Sequence, residues 1–123
     1  MPDPFIHLQV HSEYSLTDGL LRIPELVTFA KQQHMHSVAL TDTMNLFAAV
    51  KFYQECKKQG VKPIIGCDLY ACHTNTATIS RASLSPSLFR MTLLARNQKG
   101  YHHLLQFTIC LYYFKSVCSL IAR

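Results

Sequence analysis

The sequence predicts an α/β fold built on a parallel sheet. Two observations carry this. Short apolar segments with β-branched residues alternate with longer segments of helical periodicity, in the order strand, helix, strand, helix, strand. Polar and ionisable residues collect just past the apolar segments, where parallel α/β sheets place their ligand sites.

Phe5–Val10 (FIHLQV) reads as the first strand, followed by a polar loop, HSEYSLTDG. A helix is expected over Arg22–Gln33, with Pro24 in its first turn and Leu26, Val27, Phe29 and Ala30 on its apolar face. Ser37–Thr41 (SVALT) is the second strand. Asn45 is the expected N-cap of a helix over Leu46–Gln59, which Gly60 stops. Its apolar face is read as Leu46, Ala49, Val50, Tyr53 and Cys56 or Lys57. Lys62–Cys67 begins a third strand that Leu69–Ala71 extends. The Thr-, Ser- and Asn-rich stretch His73–Ser87 reads as a loop. Phe89–Ala95 is a fourth strand, and another helix begins at Asn97–Leu105. Strands linked through helices imply parallel pairing with right-handed crossovers.

With 123 residues, the chain is the length of one modest domain, and 49% apolar against 15% charged residues is a globular composition. The net charge of +5 is unevenly placed. Residues 1–68 carry seven acids and six bases, whereas residues 69–123 carry six bases and no acid. Those six bases are scattered, which argues for solvated side chains rather than a nucleic-acid footprint. Five cysteines without a CxxC pair, after an amino terminus lacking a basic leader, point to a reduced, cytoplasmic protein. Cys67, Cys72 and His73 lack the second pair of a zinc corner. Phe107–Ile121 is apolar but interrupted by Lys115, and it falls short of the roughly 20 residues that span a bilayer.

His7, Gln9 and His11 occupy alternate positions of the first strand and so share a face. Asp18 follows in the loop, Asp42 and Thr43 close the second strand, Asp68 lies in the third, and Arg90 opens the fourth. Imidazoles and carboxylates so placed suit zinc or manganese and metal-activated water for phosphoester hydrolysis. The same residues also serve as hydrogen-bonded structural groups, Asp42 as a turn or capping residue. On this evidence both readings stand.

IHLQVHSEYSLTDG at 6–19, LTDTMNLFAAVKFYQECKKQGVKPIIG at 40–66 and MTLLARNQKGYHHLL at 91–105, with the spacing between them, resemble the PHP domains of bacterial replicative polymerases, the DNA polymerase III alpha subunits. The resemblance implies a distorted (β/α)7 barrel, of which this chain supplies about the first four strands with their intervening helices. It also implies a metal site at the carboxyl ends of the strands. His11, Asp18 and Asp68 fall on ligand positions. Gln9, Thr43 and Arg90 stand where metal-binding members usually carry His, so no functional metal cluster or cofactor is expected. Proteobacterial alpha subunits show a similar loss, and their domain supports the polymerase and docks the proofreading exonuclease subunit.

The expected function is therefore a non-catalytic module of the replicase, without membrane or direct nucleic-acid binding. The alternatives are a metal-dependent phosphoesterase using His7, His11, Asp18, Asp42 and Asp68 with zinc or manganese, and a non-functional gene remnant. The resemblance covers residues 5–105. Residues 1–106 are assigned to the amino-terminal part of the PHP domain, and 107–123 (FTICLYYFKSVCSLIAR) to a divergent apolar tail of the kind a frameshift or premature stop produces. The regions that transfer nucleotides have no counterpart in these residues.

Overall fold

A computed structural model describes residues 5–72 and 88–121, with residues 72, 88 and 112–121 described through their backbone alone. Six elements follow one another: α1 (Ile23–Gln32), β1 (Ser37–Leu40), α2 (Ala49–Gln59), β2 (Lys62–Cys72), β3 (Leu88–Leu94) and α3 (Gln98–Ile121). The expected loop over His73–Ser87 lies outside the described residues.

Every residue of β1 is buried, as expected of a short strand covered on both faces. The core lies between this strand and two helices. Ile23, Leu26, Val27 and Ala30 of α1 meet Val38 and Leu40 of β1 and Phe52 and Cys56 of α2. Both expected helix faces need adjusting. Phe29 is half exposed, and Ile23 takes the place assigned to it. In α2, Phe52 is fully buried while Val50 and Tyr53 face outward. The true stripe is Ala49, Phe52 and Cys56, at spacings of three and four.

The start of α2 also differs from expectation. Leu46–Ala48 form a turn, Ala48 is the N-cap, and no side chain caps the helix. Asn45 instead ties the turn to the loop before it. Its Nδ2 donates to the carbonyls of Tyr14 and Thr43, both at 3.0 Å, and its Oδ1 accepts the Phe47 amide at 3.1 Å. Gly60 closes the helix as expected, in the left-handed region at φ 76°, with its amide on the Cys56 carbonyl.

The sheet order is β1-β2-β3. Residues 62–65 of β2 pair in parallel with β1, and residues 66–72 pair antiparallel with β3. The fourth predicted strand therefore runs opposite to the expected direction. The changeover falls at Gly66, where a Cβ would sit 2.5 Å from the Leu93 carbonyl oxygen and 2.9 Å from the Thr41 methyl. Only glycine leaves room for this close approach.

The first predicted strand is a further correction. Residues 5–10 run alongside β1 without forming a regular ladder. The amides of Ala39 and Thr41 donate to the carbonyls of His7 and Val10, at 2.9 and 2.8 Å. The Val10 amide turns instead to the Thr41 hydroxyl at 3.0 Å. A side-chain oxygen thus replaces a backbone partner.

α3 is longer than the sequence suggested and passes Gln106 without a break. Leu104 packs it against Cys67 and Leu69 beneath β2, with Leu93 and Ala95 alongside. Among the described residues, no helix is long and apolar enough to cross a membrane.

Candidate functional site

The segment 9–19, the end of β1 and the β2–β3 pair converge on two buried carboxylates. Asp42 follows β1 and is 2% exposed. Its Oδ1 accepts the Ser12 amide and the Ser15 hydroxyl, and its Oδ2 accepts the Ser12 hydroxyl, all at 2.7 Å. Ser15 Oγ also accepts the Thr43 amide at 3.0 Å. Asp42 is thus the anchor of the loop that follows residue 11. Gly19 completes the anchor, because a side chain there would overlap the Ser12 carbonyl.

Asp68 lies in β2 and is fully buried. Backbone bonds hold it from both sides. Its amide donates to Asp42 O at 3.1 Å, and its carbonyl accepts the Met44 amide at 2.8 Å. Oδ2 accepts Gln9 Nε2 and lies against His11 Nε2, both at 2.7 Å, while Oδ1 accepts the Thr92 hydroxyl at 2.6 Å. Burial opposes ionisation of this carboxyl. The donors Thr92, Gln9 and His11, with the charge His11 can carry, outweigh it and hold the group below its ordinary range.

Arg90 and Thr92 share one face of β3, a consequence of the two-residue period. The Arg90 Nη2 donates to Asp18 Oδ2 at 3.0 Å and to the Tyr70 hydroxyl at 3.2 Å. Its guanidinium carbon stands 5.7 Å from the Tyr70 ring centre. The Tyr70 hydrogen bond first, and the Asp18 charge after it, push the guanidinium further up from its already high value.

Of the residues singled out by sequence, Gln9, His11 and Asp68 meet directly, and Asp18 meets Arg90. Thr43 bridges to Asp68 through the backbone, but its hydroxyl is buried without a hydrogen-bond partner. His7 stands apart, its ring edge-on to Phe5 at 4.8 Å between centres. Sequence reading missed Ser12, Ser15, Tyr70 and Thr92. The signals for them were present: two serines in the loop after the first strand, and a threonine two places from Arg90.

Among the described residues, no group of three or more His, Cys, Asp and Glu side chains gathers closely enough to hold a metal ion. Cys67 donates its thiol to the Asp42 carbonyl at 3.3 Å, and burial pushes it up to about 11. It is therefore a protonated, inert core thiol near neutral pH. His73, the third member of the zinc corner, lies outside the described residues.

Residues 7–115 match the family model of the PHP domain. The DNA polymerase III subunit alpha of Borreliella burgdorferi is 46% identical over 104 residues, which is 85% of this chain and 9% of that protein. The Vibrio cholerae subunit is 43% identical over 105 residues, 85% of this chain and 8% of that protein. The Chlamydia muridarum subunit is 36% identical over 118 residues, 92% of this chain and 10% of that protein. The chain thus spans about a tenth of the length of these curated relatives.

Two solved structures share the fold. An amidohydrolase from Chromobacterium violaceum with bound sulfate and no metal aligns at a TM-score of 0.55 and 17% identity, over 82% of this chain and 32% of its own. A putative metal-dependent phosphoesterase from Bifidobacterium adolescentis aligns at 0.52 and 15% identity, over 82% of this chain and 31% of its own.

Proposed function

The chain belongs to the PHP domain family, and from that premise we propose that it works as a non-catalytic structural and docking module of a bacterial replicative polymerase. The kinship to alpha subunits supports the replicative setting. One observation carries the non-catalytic part of the reading: the Arg90 guanidinium lies 3.0 Å from Asp18. A fixed positive charge occupies the neighbourhood that a metal ion would need, and it already takes up one of the carboxylates.

The remaining donors fit a metal no better. Gln9 offers a neutral amide, and its NH2 end is turned to Asp68. Both Asp68 oxygens already accept hydrogen bonds. The Thr43 hydroxyl is short and protonated at neutral pH. We therefore assign the chain no resident metal and no hydrolytic step. Internal hydrogen bonds and an ion pair hold together what a cation would otherwise bridge. The partners in this reading are the remainder of the replicase and its proofreading exonuclease subunit, in the cytoplasm, and no nucleotide transfer is assigned to these residues.

The test has two arms. The full chain is dialysed against zinc or manganese and its metal content measured, and it is presented to the purified exonuclease subunit in a pull-down. Substoichiometric metal with retention of the subunit is the expected result. Stoichiometric metal that disappears in His11→Ala, with metal-stimulated hydrolysis of a model phosphoester, would establish the phosphoesterase reading instead. Failure of the exonuclease arm alone would remove the docking role.

A further inference from the structure

A groove of about 490 Å3 opens between α2 and the start of α3. Val50 and Tyr53 of α2 form one wall, Ile65 of β2 lies at its base, and Arg96 and Tyr101 form the far side. Val50 is 62% exposed and Tyr53 45% exposed, so these apolar side chains meet solvent.

Among the described residues, no carboxylate lines the groove. Arg96 brings one positive charge to the groove, and Lys57 brings a second to its Tyr53 wall, its Nζ 5.7 Å from the Tyr53 ring centre. Among the described acids, all but Glu25, in the first turn of α1, are buried or hold a partner. Asp42 and Asp68 are buried, Asp18 pairs with Arg90 and Glu13 with Lys51. Glu55 bonds Gln59, which reaches Thr28 of α1 on the other side of α2.

We propose that this groove is a docking site for an amphipathic, acidic helix supplied by another polypeptide. An apolar trough between two helices accepts the apolar stripe of a third helix, and the basic rim selects carboxylates beside that stripe. A second copy of this chain is a poor occupant. The net charge of +5 sets two copies against each other, and residues 69–123 contain no acid with which to meet Arg96 and Lys57. The proposal rests on the reading of the chain as a docking module and gives that module a surface and a partner chemistry.

The experiment uses the full chain and two fluorescent helical peptides with one shared apolar stripe, flanked by glutamates in one and by lysines in the other. Anisotropy is expected to show binding of the acidic peptide, weakened by salt, and about ten-fold tighter than that of the basic one. Arg96→Glu with Lys57→Glu should reverse this preference, and Val50→Glu, an exposed change that leaves the core intact, should abolish binding of both. Equal binding of the two peptides, no binding of either, or concentration-dependent dimerisation lost in Val50→Glu would each overturn the proposal. Retention of the exonuclease subunit by a chain that ignores both peptides would remove only the groove assignment and leave the docking reading standing.

Discussion

Arg90 and Asp18 are 72 positions apart in the chain, yet their side chains meet at 3.0 Å across the mouth of the site. The pair fastens the loop after residue 11 to β3, and Tyr70 supports the guanidinium from below with its ring and its hydroxyl. Both partners are partly exposed, so the bond is screened by salt. Arg90→Met is therefore expected to weaken loop protection in amide exchange at low salt, and the difference from wild type should vanish at high salt. Asp18→Asn should add little to it, because either change breaks the same pair.

The Asp68 carboxyl links stability to acidity. Its folded-state value lies below the 3.8 of an ordinary aspartate, so between the two values the unfolded chain binds more protons than the folded one. Stability then rises with pH. The contribution is fully present above about 3.8 and is lost as pH falls through the lower, folded value. Urea midpoints measured between neutrality and strong acid should show this limb, and Asp68→Asn should flatten it.

Two threonines near this carboxylate should respond oppositely to the same substitution. The Thr43 hydroxyl is buried without a partner. Thr43→Val removes a desolvated group of nearly the same shape and should be neutral, or stabilising by up to about 1 kcal/mol. The Thr92 hydroxyl serves Asp68 Oδ1 at 2.6 Å. Thr92→Val leaves a buried carboxylate oxygen without its donor and should cost about 1–3 kcal/mol. Thermal melts of the two variants check the contrast.

Two glycines separate steric from conformational cost. Gly60 has φ 76° and open space around it, so Gly60→Ala should cost about 1–2 kcal/mol from the left-handed backbone alone. At Gly19 an added methyl would overlap the Ser12 carbonyl. Gly19→Ala should therefore displace the loop from Asp42 and cost more than Gly60→Ala in the same denaturation assay.

Much of the architecture was legible because it rests on local pattern. The two helices, the buried SVAL strand and the Gly60 stop each follow from periodicity and backbone preference. The direction of β3 was not legible. Neither composition nor alternation tells a strand which way its neighbour runs, and the connecting residues 73–87 give no hairpin signal. Phe5–Val10 has the composition of a strand, but Thr41 draws the Val10 amide out of the ladder, a tertiary event that no local pattern encodes. Asn45 looked like a cap because caps and turns use the same side-chain chemistry.

At the site, alternation puts Gln9 and His11 on one side of their segment, and the structure brings both to Asp68 inside β2. Which acid would face Arg90, and which would take the serines, depends on distances that sequence does not carry.

Gly66 also guards against misfolding. A strand displaced by one residue turns every side chain to the opposite face. In β2 that error would swing Asp68 away from Gln9, His11 and Thr92 and into the oily layer of Leu93 and Leu104 under the sheet. It would also force a bulkier residue into the space where the Leu93 carbonyl and the Thr41 methyl close on position 66. A carboxylate stranded in oil and a side chain with no room penalise the same mistake, so the glycine and the aspartate two places on check each other's alignment as the sheet assembles.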